Sequence, residues 1–140
     1  MRVKKLAVAA GVLVGLFLLL GLAQFAASES GEVLVLETLD AAGQAHETRI
    51  WVVDDAGALW VRGGPDAGWV GRLVANPDVR AERAGAQADY RAVPDRNDAA
   101  RDRVNALMRE KYGLADRFIA LMLGDPDRED SLAIRLAPRQ

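Results

Sequence analysis

The 140-residue sequence contains no cysteine and only one histidine, His46. Without thiols the chain cannot form disulfides, iron–sulfur clusters or zinc–thiolate sites, and it has no cysteine nucleophile. A histidine metal cage or a Ser-His-Asp relay would have to be built around His46 alone. We therefore expect no metal site, and a hydrolase is the least favoured class of enzyme.

Charged side chains are absent from residues 6–27, where Gln24 is the only polar residue. As a helix this segment would be about 33 Å long, enough to cross a hydrocarbon core of about 30 Å. The apolar part of a secretory signal is shorter, and Phe25 interrupts the small residues that a cleavage site needs. We therefore expect residues 1–30 to form an uncleaved transmembrane anchor, with a signal peptide as the alternative.

The charges on either side of this segment differ in sign. Arg2, Lys4 and Lys5 precede it, whereas all 20 acidic residues of the chain follow it. Positive charge is retained on the cytoplasmic side, so we expect a single-pass protein of the cell membrane with residues 31–140 outside the cytoplasm. The lipid bilayer is then the partner of the N-terminal helix, and an acidic domain disfavours nucleic acid as a partner.

Residues 31–140 are sufficient for one compact domain. Apolar and β-branched runs between glycine and aspartate turns indicate strands, and apolar residues three or four apart indicate helices. Strands are predicted at 32–39, 47–53, 58–62, 79–83, 86–93 and 131–136, and helices at 69–75, from 95 to Gly113, and from 114 to a stop at Gly124. The first three strands should form an antiparallel meander. This pattern favours the α+β class, as a small antiparallel barrel with short helices after one transmembrane helix.

The most distinctive motif lies at residues 63–79. Gly63 and Gly64 are followed by Trp69, a short predicted helix, and Ala-Asn-Pro at 75–77 before a strand. This pattern resembles the deazaflavin-dependent nitroreductase and quinone reductase family of split β-barrel, flavin-reductase-like proteins. Thr48-Arg49-Ile50 after a glycine turn and Lys-Tyr-Gly at 111–113 fit the same family, so the resemblance covers about residues 32–138.

The resemblance implies a cofactor, either deazaflavin or FMN, a quinone or nitro compound as the substrate, and a homodimer. In such a site the protein supplies a phosphate cradle and a slot for the ring, while the cofactor supplies the redox chemistry. Arginines would contact phosphate, glycine N–H groups and the start of a helix would bind an anion, and tryptophans would flank the ring. The predicted cofactor-binding residues are Thr48, Arg49, Trp51, Arg62, Gly63, Gly64, Trp69 and Arg72. No catalytic residue is identified.

Two hypotheses remain open at this point. The first is an oxidoreductase that binds a flavin or deazaflavin and reduces a quinone or nitro compound at the membrane. The second is a non-enzymatic, membrane-anchored split-barrel binding module that has lost the cofactor, because Asp40 stands in a turn where the family has basic residues. Under the second hypothesis Arg49 and Arg62 are partners of nearby acids, and Trp51 and Trp60 belong to the core.

Overall fold

The computed structural model describes residues 2–29, 31–123 and 130–140. Its elements in chain order are α1 (Arg2–Glu29), β1 (Val33–Leu39), β2 (Ala45–Asp55), β3 (Ala58–Gly63), α2 (Gly68–Ala75), β4 (Asp78–Arg83), β5 (Ala86–Asp95), α3 (Asp98–Leu123) and β6 (Leu132–Pro138).

The six strands form a closed antiparallel barrel in the order β1-β2-β3-β6-β5-β4. The first three strands make the predicted meander, and pairing of β1 with β4 over Val35–Glu37 closes the barrel. The predicted fold class, an α+β barrel with short helices and an apolar N-terminal helix, is confirmed. β1 has seven residues and is therefore about 23 Å long. The chain segment that follows α1 lies at one end of β1, and the turn at 40–44 lies at the other end.

Two hairpins turn through an alanine–glycine pair. Ala56 and Gly57 have φ values of 49° and 77°, and Ala84 and Gly85 have φ values of 51° and 79°. Positive φ at both central residues matches the twist of two-residue hairpins. Because the first of these turns needs only two residues, β2 continues to Asp55 and is longer than the predicted strand at 47–53.

The barrel interior is filled by alternate residues of the strands and by one face of α2. Leu34 and Leu36 of β1 are fully buried together with Val52, Val61 and Ile134. Val70 and Leu73 of α2 pack into the same cluster, so α2 covers one opening of the barrel. Truncation of a side chain buried in this way lowers the stability of a protein by about 2 to 5 kcal/mol. Burial of Val70 and Leu73 therefore holds α2 on the barrel.

Helix α3 packs on the outside of the barrel through Val104, Met108 and Tyr112. The two helices predicted on either side of Gly113 are joined there by a kink with φ 42° and ψ −104°. We call the part after the kink, Leu114–Leu123, the α3 extension. The predicted helix stop at Gly124 lies outside the described residues.

Helix α1 contains a span of 21 residues, Val3–Ala23, with a mean hydropathy of 2.7, and none of that span is buried. By length and composition it can cross a membrane. Its bounds contain the apolar segment predicted at residues 6–27.

Candidate functional site

Helix α2 presents a second face that is not part of the core. Gly68, Gly71, Arg72, Ala75 and Asn76 are three or four residues apart and therefore share one stripe of the helix and its C-cap. The stripe holds a single charged side chain among small residues. It lies beside the hairpin turn that connects β1 to β2.

The stripe and the turn enclose an open groove of about 580 Å³, whose other wall is formed by Leu39, Asp40 and Ala41. Small-molecule sites usually occupy about 300 to 1,000 Å³. The groove is therefore large enough for part of a cofactor.

Arg72 is the cation of this groove. Its Nε donates a hydrogen bond of 2.9 Å to Oγ1 of Thr38, which is fully buried. No other side chain among the described residues accepts a hydrogen bond from the two terminal nitrogens of Arg72. Thr38 thus orients the guanidinium, which keeps most of its donors for a bound anion.

The carboxylate of Asp40 is engaged within its own turn. It accepts hydrogen bonds of 2.9 Å from the backbone N–H groups of Ala42 and Gln44, and it lies 2.8 Å from Nε2 of His46. These bonds, that with His46 first, hold the pKa of Asp40 below its usual range. Asp40 therefore stabilises the hairpin turn through these hydrogen bonds.

Glycine at position 71 is not required by the packing of the protein. A Cβ atom built there would contact no described atom within 4 Å, and the residue has ordinary helical φ. Glycine inside a helix costs about 1 kcal/mol relative to alanine. At Gly68, by contrast, a Cβ would lie 3.3 Å from a terminal nitrogen of Arg72. Neither glycine places a side chain on the groove side of α2, so a ligand can approach the helix backbone at these two positions.

Of the predicted site residues, Gly63, Gly64 and Trp69 lie beside or on α2, and Thr48 lies on β2. Gly63 ends β3, and a Cβ there would be 2.3 Å from the ring of Trp69, so this glycine lets the ring cross the strand end. The carbonyl of Gly64 accepts a hydrogen bond from Ala67 just before α2. Trp69 is partly buried against the core, and Thr48 is a half-buried residue of β2 paired with Leu36. None of these four residues lines the groove itself.

Three others lie on the outer surface of the barrel. Arg49 is an exposed residue of β2 on the face opposite to Thr48. The ring of Trp51 stacks on Tyr112 with centroids 4.3 Å apart. Arg62 donates hydrogen bonds to Asn105 (3.0 Å) and to Asp116 (2.7 Å), which is almost completely buried. Of the three arginines that were expected to converge, the structure places Arg72 alone in the groove.

Sequence reasoning missed Thr38, Gly68 and Gly71. The signal for Thr38 was present, because alternation with Leu34 and Leu36 places it on the buried face of β1. The two glycines share the helical spacing of Arg72, which relates them to one face. No cluster of three or more His, Cys, Asp or Glu side chains that could hold a metal ion occurs within the described parts of the chain.

Comparisons with known proteins place this fold in context. The sequence model of a family described as "Uncharacterized protein conserved in bacteria (DUF2255)" matches residues 22–134. A comparison with curated proteins gives no match.

Solved structures share the barrel at low sequence identity. The conserved hypothetical protein Rv2991 from Mycobacterium tuberculosis has 18% identity and a TM-score of 0.63, over 86% of this chain and 80% of that one. HutZ, the heme storage protein from Vibrio cholerae, has 22% identity and a TM-score of 0.59, over 81% and 86%. An F420 reductase has 15% identity and a TM-score of 0.57, over 78% and 87%. At these identities the likeness shows the fold alone.

Proposed function

We propose, from the premise that the chain belongs to the bacterial DUF2255 family, that its barrel binds a phosphorylated flavin-type cofactor, deazaflavin or FMN, in the groove between α2 and the first hairpin. The protein would then act as an oxidoreductase whose hydride acceptor is a quinone or a nitro compound. One observation carries this proposal: the guanidinium of Arg72 is held by a buried hydroxyl and points unused donors into a groove of ligand size.

The residues of the groove fit the phosphate part of such a cofactor. Arg72 would hold a phosphate through charge-assisted hydrogen bonds, which are stronger than neutral ones. Gly68 and Gly71 would let the phosphate and the adjoining chain of the cofactor lie against the backbone of α2. The cofactor itself would supply the hydride chemistry, and the protein would supply binding and orientation.

Two of the comparisons bear on the choice of ligand. A barrel of this fold in an F420 reductase is consistent with a deazaflavin, and the motif at residues 63–79 resembles deazaflavin-dependent enzymes. A heme storage protein has the same barrel, and heme carries two carboxylates that could also bind an arginine. Heme is therefore the ligand to compare with the flavin and the deazaflavin.

Titration calorimetry of the full chain in detergent against FMN, F420 and hemin tests the proposal. We expect Arg72→Ala to weaken binding of the phosphorylated cofactor by about 1.5 to 3 kcal/mol, or roughly 10- to 150-fold. Binding should also weaken as salt is added. Arg80→Ala is the matched control, because Arg80 is an exposed arginine of β4 paired with Asp89.

Arg49→Ala separates the groove from the cradle predicted from the sequence. Since Arg49 lies on the outer face of β2, we expect this variant to bind as the unmodified chain does. Equal loss in the Arg49 and Arg72 variants would support the predicted cradle and contradict the groove. If the unmodified chain binds neither FMN nor F420, the non-enzymatic binding module is the better account.

We further propose that α1 anchors the protein in the cell membrane in a single pass, with the barrel outside the cytoplasm. The support is the apolar span of α1 and the three basic residues at its start. A topology reporter fused after Gln140 should be active outside the cytoplasm. Activity inside would reverse the orientation.

A further inference from the structure

The α3 extension has two leucines on one exposed stripe. Leu114 and Leu121 are seven residues apart, which places them on the same face of a helix, and each is 82% exposed. Arg117 is exposed between them along the same stripe. The opposite side of the extension packs against the domain through Ala115 and Asp116, which are both buried.

Hydrogen bonds fix the start of this extension close to the end of α1. The hydroxyl of Tyr112 donates to the carbonyl of Glu32 (2.6 Å), and the ammonium of Lys111 binds the Glu32 carboxylate. The ring of Tyr112 lies over Gly31, where an added Cβ would be 2.4 Å from the ring. The same carboxylate accepts two hydrogen bonds from Arg83. Helix α3 and strand β4 therefore both hold the segment that leaves α1.

The chain between the end of α1 and Glu32 is short. Helix α1 ends at Glu29, and three residues of chain reach at most about 11 Å to Glu32. Leu114 comes two residues after Tyr112, so the exposed stripe begins beside the point where α1 ends.

Helix α1 does not cover the stripe. The two helices are in contact, yet both leucines remain 82% exposed with α1 present. Apolar side chains of α1 such as Val12, Phe17 and Leu22 are themselves more than half exposed, and a bilayer would surround them. A bilayer that contains α1 would also reach an apolar stripe next to its end.

We propose, as an inference that rests on the proposed membrane anchor α1, that the α3 extension is a membrane-contact surface, with Leu114 and Leu121 in the acyl boundary of the bilayer and Arg117 at the lipid phosphates. A short helix with an apolar stripe and a basic residue is suited to this interfacial position. The barrel would then touch the membrane at a second place besides α1, which would restrict its rotation about the anchor.

Because the chain contains no cysteine, single cysteines can each carry one spin label without further changes. The test uses the full chain in vesicles of phosphatidylcholine and phosphatidylglycerol, with labels at Leu114→Cys and Leu121→Cys. The matched control is Val74→Cys, an exposed apolar position on α2. A second control is Ala42→Cys, in the turn at the far end of β1. For each label, electron paramagnetic resonance measures accessibility to oxygen, which concentrates in lipid, and to a water-soluble nickel chelate.

We expect oxygen accessibility to exceed nickel accessibility at 114 and 121, and the reverse ratio at 74 and 42. A nickel accessibility at 121 equal to that at 74, in chain that floats with the vesicles, would overturn this proposal alone, whereas chain that does not float would overturn the anchor as well. Protection of 114 and 121 from both reagents would also overturn it, because the stripe would then be covered by protein, such as a second copy of the chain. A lipid signal at 74 as strong as that at 121 would contradict it as well, since the label itself would be entering the bilayer.

Discussion

Substitution of Gly71 by alanine should separate the stability of the domain from its binding function. The residue is in the middle of α2 with ordinary helical φ, and the added methyl group would meet no described atom. Alanine is favoured over glycine in a helix interior by about 0.5 to 1 kcal/mol. We therefore expect Gly71→Ala to be more stable than the unmodified chain, with a melting temperature higher by roughly 3 to 6 °C.

The same methyl group would project into the groove. A cofactor that lies against the backbone of α2 would have to move away from it, and displacement of this kind costs about 1 to 3 kcal/mol in packed sites. We therefore expect Gly71→Ala to bind FMN or F420 about 5- to 150-fold more weakly. Thermal unfolding and titration calorimetry of the same preparation measure both effects. Val74→Ala, on α2 but outside the groove, should leave binding unchanged.

Two results would refute this reasoning. Loss of stability in Gly71→Ala would mean that the glycine serves internal packing, contrary to the open space beside it. A more stable variant with unchanged affinity would show that no ligand approaches α2 at this residue, and the groove would lose its assignment.

Three further predictions concern the fold. Hydrogen bonds from Arg83, and to a smaller extent from Lys111, hold the pKa of Glu32 at about 2, below its usual 4.5. The ionised Glu32 carboxylate therefore stabilises the folded protein above pH 4.5, and this contribution is lost as the pH falls towards 2. After allowance for the partial exposure of Glu32, we expect the free energy of unfolding to fall by about 1 to 2 kcal/mol over this pH range, and we expect no such fall in Glu32→Gln. The same dependence of the unfolding free energy on pH in that variant would refute the assignment. Ala84→Asn should stabilise the chain by about 0.5 to 1 kcal/mol in urea unfolding, because asparagine tolerates positive φ better than alanine; a loss would contradict the turn geometry. Tyr112→Phe should lower the free energy of unfolding by about 1 to 3 kcal/mol, because the buried N–H of Val52 donates a hydrogen bond of 3.0 Å to the Tyr112 hydroxyl. An unchanged unfolding midpoint would argue against this hydrogen bond.

The order and type of the elements could be read from the sequence because each signal is local. Strand alternation at 32–39 and the turn residues after it predicted β1, and the proline at 77 fixed the end of α2. The ends of strands were harder to predict from the sequence, because the extension of β2 to Asp55 depends on the tight turn at Ala56. The closure of the barrel through β1 and β4 joins residues about 45 apart in the chain, and no local pattern encodes that pairing.

The candidate site was predictable only in part, because its residues are related by tertiary contacts. Arg72 was expected from the motif, and it does lie in the groove. Arg62 carries the same charge, but its environment is set by Asp116, which is 54 residues away and nearly buried. Strand alternation could have separated Arg49 from Thr48, whereas the partnership of Arg72 with Thr38 required knowledge of how α2 lies on β1.

Closure of the barrel has a consequence for self-association. Each of the six strands is hydrogen-bonded to two neighbours, and the β1–β4 pairing is the shortest of the six, with three residues of each strand in register. Unpaired strand edges are the usual route to sheet extension and to cross-β aggregation, and opening of this seam would expose the edges of β1 and β4 at these residues. Conditions that open the seam at Val35–Glu37 should be those under which the protein first aggregates.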